Sequence, residues 1–139
     1  MKKRILIADD DESVRRMVAR VLESADYNVT LAGSDVEVVS RAPAPHLLLL
    51  DLKRPDQASW AVIDQIGRLN TSAPIIVTSA WPNQSEVARD HGVAALMEKP
   101  LDPTVLLKSI QTLLEVSERR ATEPVVNPGV LAGLLTQAT

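Results

Sequence analysis

The chain contains no cysteine and no phenylalanine, and aromatic residues make up only 2% of it. Without cysteine there is no disulfide, no thiolate nucleophile and no cysteine metal site. With so few aromatics, the core implied by the 45% hydrophobic content is expected to consist of Leu, Ile, Val and Ala. Charge of one sign is also scarce. A formal net charge of -3 gives no general attraction to nucleic acid or to an anionic membrane surface. Long apolar runs are missing. After Met1 to Arg4, only Ile5 to Ala8 are apolar before Asp9, which is too short for the apolar stretch of a signal peptide. No segment approaches the roughly 20 apolar residues that span a bilayer. These absences make a soluble cytoplasmic protein the default expectation, and 139 residues fit one domain.

What is present is an alternation of short aliphatic runs with helix-period segments. Ile5 to Ala8 is followed by Val14, Met17, Val18, Val21 and Leu22, spaced as one face of a helix. Asn28 to Ala32 alternates more and reads as a peripheral strand. Ser34 to Glu37 has the capping-box pattern that opens a short helix through about Ser40. His46 to Leu50 is a continuous apolar run, and Val62, Ile63, Ile66 and Leu69 then form another helical face. Ile75 to Val77 follows Pro74; a short helix is expected over Ser85 to Asp90, stopping at Gly92. Ala94 to Met97 is the fifth strand. Asp102 and Pro103 open the last helix, with Leu106, Ile110, Leu113 and Leu114 facing the core through about Ser117. Strands that are apolar throughout suit a parallel sheet covered on both faces. The fold class is therefore α/β, a doubly wound parallel sheet, and ligands of such sheets bind at the carboxyl ends of the strands.

Four of those ends carry chemistry. The first strand runs into Asp9, Asp10, Asp11 and Glu12, the third into Asp51, the fourth into Thr78 and Ser79, and the fifth into Lys99 and Pro100. Taken singly, each has a bland explanation. An acidic run suits the first turn of a helix, a lone Asp suits a turn, and Lys-Pro suits a loop. All four at the same end of the sheet point to a shared cleft. Three carboxylates there repel one another unless a cation joins them, and Mg²⁺ with oxygen ligands suits phosphate chemistry. Asp51 could then attack phosphorus as a carboxylate nucleophile. Lys99 would offset charge on the transferring oxygens, and Ser79 would donate a hydrogen bond to one of them.

The stretches 4–11, 45–55, 74–80 and 98–100, together with Gly92, resemble the receiver domains of two-component response regulators, of the single-domain type, over about residues 3–118. The resemblance implies a flavodoxin-like (βα)5 fold with strand order 2-1-3-4-5. It also implies Asp51 as phosphoacceptor, Asp10 as a direct Mg²⁺ ligand, Asp9 acting through water, and the Lys53 backbone carbonyl as a further ligand. Ser79 takes the place of the switch hydroxyl and Lys99 that of the phosphate-contacting lysine, with a cis Lys99–Pro100 bond. The implied phosphodonor is a sensor histidine kinase or a phosphotransfer protein, and the output is a downstream protein target, with no direct nucleic-acid contact and no membrane insertion. A homodimer through the face of the fourth helix, fifth strand and fifth helix is left open. On this reading the receiver occupies 1–120. The tail over 121–139 has Asn127 as a potential cap of a short helix carrying Val130, Leu131, Leu134 and Leu135; it is read as frayed and is too short for a DNA-binding output domain.

Departures from the family pattern lie around this machinery. Leu96 stands where Tyr or Phe is usual, Ser59 replaces a Gly, and Arg54 an apolar residue. The Ser79-to-Lys99 spacing is shorter than usual, which predicts a short or displaced fourth helix. Lys53 and Trp81 occupy positions that flank the phosphoryl site in relatives, where either could shield an acyl phosphate from water; Trp81 could equally anchor a partner. Two rival readings stay open: a pseudo-receiver that binds proteins without phosphorylation, and a haloacid-dehalogenase-type phosphatase using Asp9 and Asp11. The phosphatase leaves Asp51 unused and lacks an acidic pair beyond Lys99. A flavodoxin-like nucleotide binder is opposed by the missing Gly-rich loop after the first strand.

Overall fold

A computed structural model describes residues 2–122, with backbone alone for residues 121 and 122. The frayed tail and the candidate helix capped by Asn127 lie outside the described residues. In chain order the elements are β1 (Arg4–Ala8), α1 (Glu12–Ser24), β2 (Asn28–Ala32), α2 (Asp35–Arg41), β3 (Leu47–Leu52), α3 (Gln57–Leu69), β4 (Ile75–Ser79), α4 (Ser85–Asp90), β5 (Ala95–Glu98) and α5 (Pro103–Thr122). All strand pairs are parallel and the sheet order is β2-β1-β3-β4-β5, as expected.

The two-residue period of the strands divides the core into two layers. Leu48, Leu50 and Leu52 of β3 join Leu6 and Val77 on one face, under Val38 of α2, Ile63 and Ile66 of α3, and Ala88 of α4. Leu47 and Leu49 join Ile5, Ile7 and Ile76 on the other, under Val18 and Leu22 of α1 and Leu106, Ile110 and Leu114 of α5. Side chains beneath and above each inner strand lock its register, because a one-residue slip would exchange the two faces.

Four expectations need correction. The core is not purely aliphatic: Trp60, one turn before Ile63 on α3, is only 2% exposed. The helical stripes are narrower than their apolar patterns. Met17 and Leu69 sit at the rim, 38% and 42% exposed, while small Ala19 is buried, because only the centre of each stripe meets the sheet. Asp51 is not the end of β3, which continues to Leu52 because backbone pairing goes on past the apolar run, whereas β4 ends in Thr78 and Ser79 as expected. Finally, α5 runs past the expected end near Ser117 to Thr122; no Gly or Pro interrupts the sequence between Pro103 and Pro124.

The helix starts are set by side chains. Asp11 caps α1 by accepting from the Ser13 and Val14 N–H groups, Ser34 caps α2, and Asp56 caps α3. The short α4 ends near Gly92, whose φ of +70° favours glycine. It is tied to α3 by side chains as well: the His91 ring stacks on Trp60 at 5.0 Å, and His91 Nδ1 lies 2.8 Å from the Asp64 carboxylate. The Trp60 indole N–H donates to Gln84 Oε1 at 3.2 Å.

Leu48, fully buried in β3, and Val36, 80% exposed on α2, offer a direct test of this layering. Leu48→Ala is expected to lose about 2–5 kcal/mol of unfolding free energy, and Val36→Ala to stay within about 0.5 kcal/mol of the parent. Urea denaturation followed by far-UV circular dichroism measures both.

Candidate functional site

The carboxyl ends of β1, β3 and β5 deliver four of the expected side chains to one cleft. Asp9 and Asp10 follow β1, Asp51 projects from β3, and Lys99 follows β5. The sheet itself places Lys99: its N–H donates to the Ser79 carbonyl at 2.8 Å, extending the β4–β5 pairing. The Lys99–Pro100 peptide bond is cis, as the resemblance implies.

Carboxylate oxygens of Asp9, Asp10 and Asp51 all lie within 4.8 Å of one another. Lys99 Nζ sits 2.8 Å from Asp9 Oδ2 and 3.0 Å from Asp51 Oδ1. Asp9 is buried and both its oxygens are engaged, since Oδ1 accepts the Asp11 N–H at 2.9 Å. The Arg15 guanidinium holds the Asp9 backbone carbonyl at 2.6 Å and leaves the carboxylate to Lys99. Asp10 is exposed at the mouth. Asp51 Oδ1 also lies 3.4 Å from the Thr78 hydroxyl, a long contact, and Oδ2 has no protein donor among the described residues.

Burial pushes the Asp51 carboxyl above its ordinary pKa; the Lys99 hydrogen bond opposes this, while the Asp9 and Asp10 charges reinforce it. Burial works against the Lys99 charge, yet hydrogen bonds to Asp9 and Asp51 outweigh it and raise its pKa. The shared ion pair therefore favours the lysine's charge more than Asp51's, because burial weighs most against the Asp51 charge and two like charges add to it. Among the described residues, three carboxylates meet one contacting ammonium, a deficit of positive charge. An all-oxygen donor set with that deficit fits a hard divalent ion such as Mg²⁺.

Asp9, Asp10, Asp51 and Lys99 are thus brought together, whereas Ser79 is not. Its hydroxyl is fully buried, donates to the Trp81 carbonyl at 2.8 Å and accepts the Trp81 N–H at 2.9 Å. The hydroxyl facing Asp51 belongs to Thr78, which the sequence reading did not single out. The register explains this: Thr78 pairs with Asp51 and Ser79 with Leu52, so Thr78 shares a sheet face with Asp51. The Lys53 ammonium reaches sideways to Asp35 at 3.1 Å. The Lys53 carbonyl, the implied metal ligand, accepts the Trp81 indole N–H at 3.1 Å.

Residues 5–111 match the family described as "Response regulator receiver domain". The transcriptional regulatory protein KdpE of Staphylococcus aureus is 30% identical over 137 residues, covering 95% of this chain and 59% of that protein. Response regulator RR06 of Streptococcus pneumoniae is 34% identical over 119 residues, covering 79% of this chain and 52% of that protein. The chain therefore spans little more than half the length of these relatives. Among solved structures, a response regulator receiver domain protein (CheY-like) from Methanospirillum hungatei superposes with a TM-score of 0.78 at 27% identity, covering 86% of this chain and 99% of that one.

The raised pKa of Asp51 fixes the sign of a pH effect. A carboxyl whose folded pKa exceeds its unfolded value favours folding at pH below the unfolded value, and this contribution is lost as pH rises through the folded value. Asp51→Asn removes the charge that burial disfavours. In metal-free buffer at pH 7 the variant is expected to melt above the parent, with the gap closing as pH falls below the carboxylate range. Thermal melts over a pH series measure it, and a variant that melts lower at pH 7 contradicts the charge balance described.

Proposed function

Because the chain belongs to the response regulator receiver domain family, we propose that it accepts a phosphoryl group on Asp51 in a Mg²⁺-dependent reaction and signals through protein contacts. The family is a signalling domain rather than a turnover enzyme. The observation that carries the proposal is the Lys99 ammonium held between Asp9 and Asp51, at 2.8 and 3.0 Å, beside a third carboxylate. The donor is a sensor histidine kinase or a phosphotransfer protein of the cytoplasm.

In this reading Asp51 Oδ2 is the nucleophile, since Oδ1 already contacts Lys99 and Thr78. Its lone pair forms the new O–P bond as the bond from phosphorus to the donor's histidine nitrogen breaks, and the electrons of that bond leave with the imidazole. The product is an acyl phosphate. Burial that raises the Asp51 pKa also raises the basicity of the attacking oxygen. Lys99 stands where it can meet charge on the transferring phosphoryl group, without reorganisation. Asp10, Asp51 and the Lys53 carbonyl would hold the metal, with Asp9 acting through water because both its oxygens are taken. Mg²⁺ bound there supplies neutralisation of the phosphoryl oxygens. Ser79 is the switch hydroxyl in this reading, and to serve it must release the Trp81 backbone.

Incubation with Mg²⁺ and acetyl phosphate, followed by intact mass measurement, is expected to show one added phosphate, absent in Asp51→Asn. Lys99→Ala is expected to slow uptake by about 100-fold or more. Lys53→Asn and Trp81→Ala are expected to shorten the lifetime of the phosphorylated form if these side chains screen it from water. A parent that takes up no phosphate indicates a protein-binding module instead; turnover of a phosphoester that depends on Asp9 indicates a phosphatase.

A further inference from the structure

Trp81 is a large aromatic residue left 42% exposed, so burial of its ring does not account for its position. Its polar contacts define it better. The indole N–H spans from the loop after β4 to the Lys53 carbonyl in the loop after β3, at 3.1 Å. The backbone of the same residue engages the Ser79 hydroxyl twice, as donor at 2.9 Å and as acceptor at 2.8 Å. Lys53 is tethered on its other side to Asp35 at the start of α2. A chain of contacts therefore crosses the mouth of the cleft, from α2 through Lys53 and Trp81 to the buried hydroxyl of Ser79.

The next anchor along the chain is Gln84, which accepts from Trp60 at 3.2 Å and donates to the Pro82 carbonyl at 3.3 Å. Between these anchors Asn83 adopts a left-handed φ of +61°, a conformation Asn tolerates better than most residues. The loop is thus pinned at Trp81 and at Gln84.

Resting on the reading of the cleft as a Mg²⁺ site, we propose that Trp81 is a latch that competes with the metal for the Lys53 carbonyl and couples its capture to release of Ser79. The reason is electrostatic. An indole N–H presents the positive end of its dipole to the oxygen, and a divalent cation on the same oxygen repels it at short range. The two partners antagonise each other, and the coupling is reciprocal: what the indole takes from metal affinity, the metal takes from the indole contact. Once the indole leaves, the strongest side-chain tie on Trp81 is gone, and its backbone is free to move off the Ser79 hydroxyl. Metal state and switch hydroxyl are linked through one side chain.

The test uses the intact chain, titrated with Mg²⁺ by isothermal calorimetry and by intrinsic fluorescence. Trp81→Phe keeps an aromatic ring but has no N–H, and is expected to bind Mg²⁺ about 2- to 10-fold more tightly than the parent, the range set by one net hydrogen bond. In the parent, Trp81 emission is expected to change on Mg²⁺ addition. In the variant that change should be lost, because the remaining indole of Trp60 is buried and held by Gln84. Equal or weaker affinity in Trp81→Phe overturns the latch, since a carbonyl has two lone pairs and could serve both partners. Parent emission indifferent to saturating Mg²⁺ also overturns it, and needs no variant. A parent that takes up no Mg²⁺ at all overturns the metal reading and the latch together, whereas binding abolished by Asp10→Asn with no gain in Trp81→Phe sinks the latch alone.

Discussion

The cleft depends on one ammonium group. Lys99 is drawn in against the desolvation of its own charge, and it stays ionised because Asp9 and Asp51 lie within hydrogen-bonding distance on either side. Remove it, and three carboxylates with oxygens within 4.8 Å of one another are left with no contacting cation among the described residues. Breaking such a pair leaves uncompensated charge, which is worse than never having formed it. The deficit of positive charge that remains with Lys99 in place is what fits the site to a hard divalent cation. A fully neutralised cleft would not attract one.

That balance needs exact placement of groups far apart in sequence, and the sheet supplies it. Asp9 and Lys99 are 90 residues apart, yet each follows directly from a strand whose register is fixed by apolar side chains on both faces. The hydrogen bond from the Lys99 N–H to the Ser79 carbonyl carries the pairing one residue beyond β5. The Leu, Ile and Val layers thus act on chemistry through geometry: they make strand slippage expensive, and so hold the charged tips opposite one another.

Most of this cleft was legible in the sequence because each charged residue sits at or just beyond the end of an apolar run. A run fixes a strand, and a strand fixes the end of the sheet at which its last residues emerge. What the sequence did not reveal depends on relations between runs. The choice between Thr78 and Ser79 turns on which residue lies opposite Asp51, a matter of inter-strand register rather than of either run alone. Trp60 is buried where an aliphatic core was expected; its stacking on His91 and its bond to Gln84 join residues from α3 and the borders of α4. The indole of Trp81 and the carbonyl of Lys53 meet only after the crossover through α3 has brought β4 beside β3, and a backbone carbonyl carries no sequence signal at all.

These tertiary contacts also constrain how a signal could leave the cleft. Leu96 on β5 packs partly buried against the layer under α3 and α4, and it has no polar tip to exchange between buried and exposed positions. The short α4 is held at both borders, by Gln84 on Trp60 and by His91 on Trp60 and Asp64. A movement that began at Asp51 and required α4 to rotate freely would have to break all of these contacts together. The segment between Ser79 and Gln84 is tied instead to the cleft itself, through the Ser79 hydroxyl and the Lys53 carbonyl, and its largest residue is 42% exposed. Change at the carboxylates therefore reaches that loop most directly, where the Trp81 side chain is partly in solvent rather than buried beneath a helix.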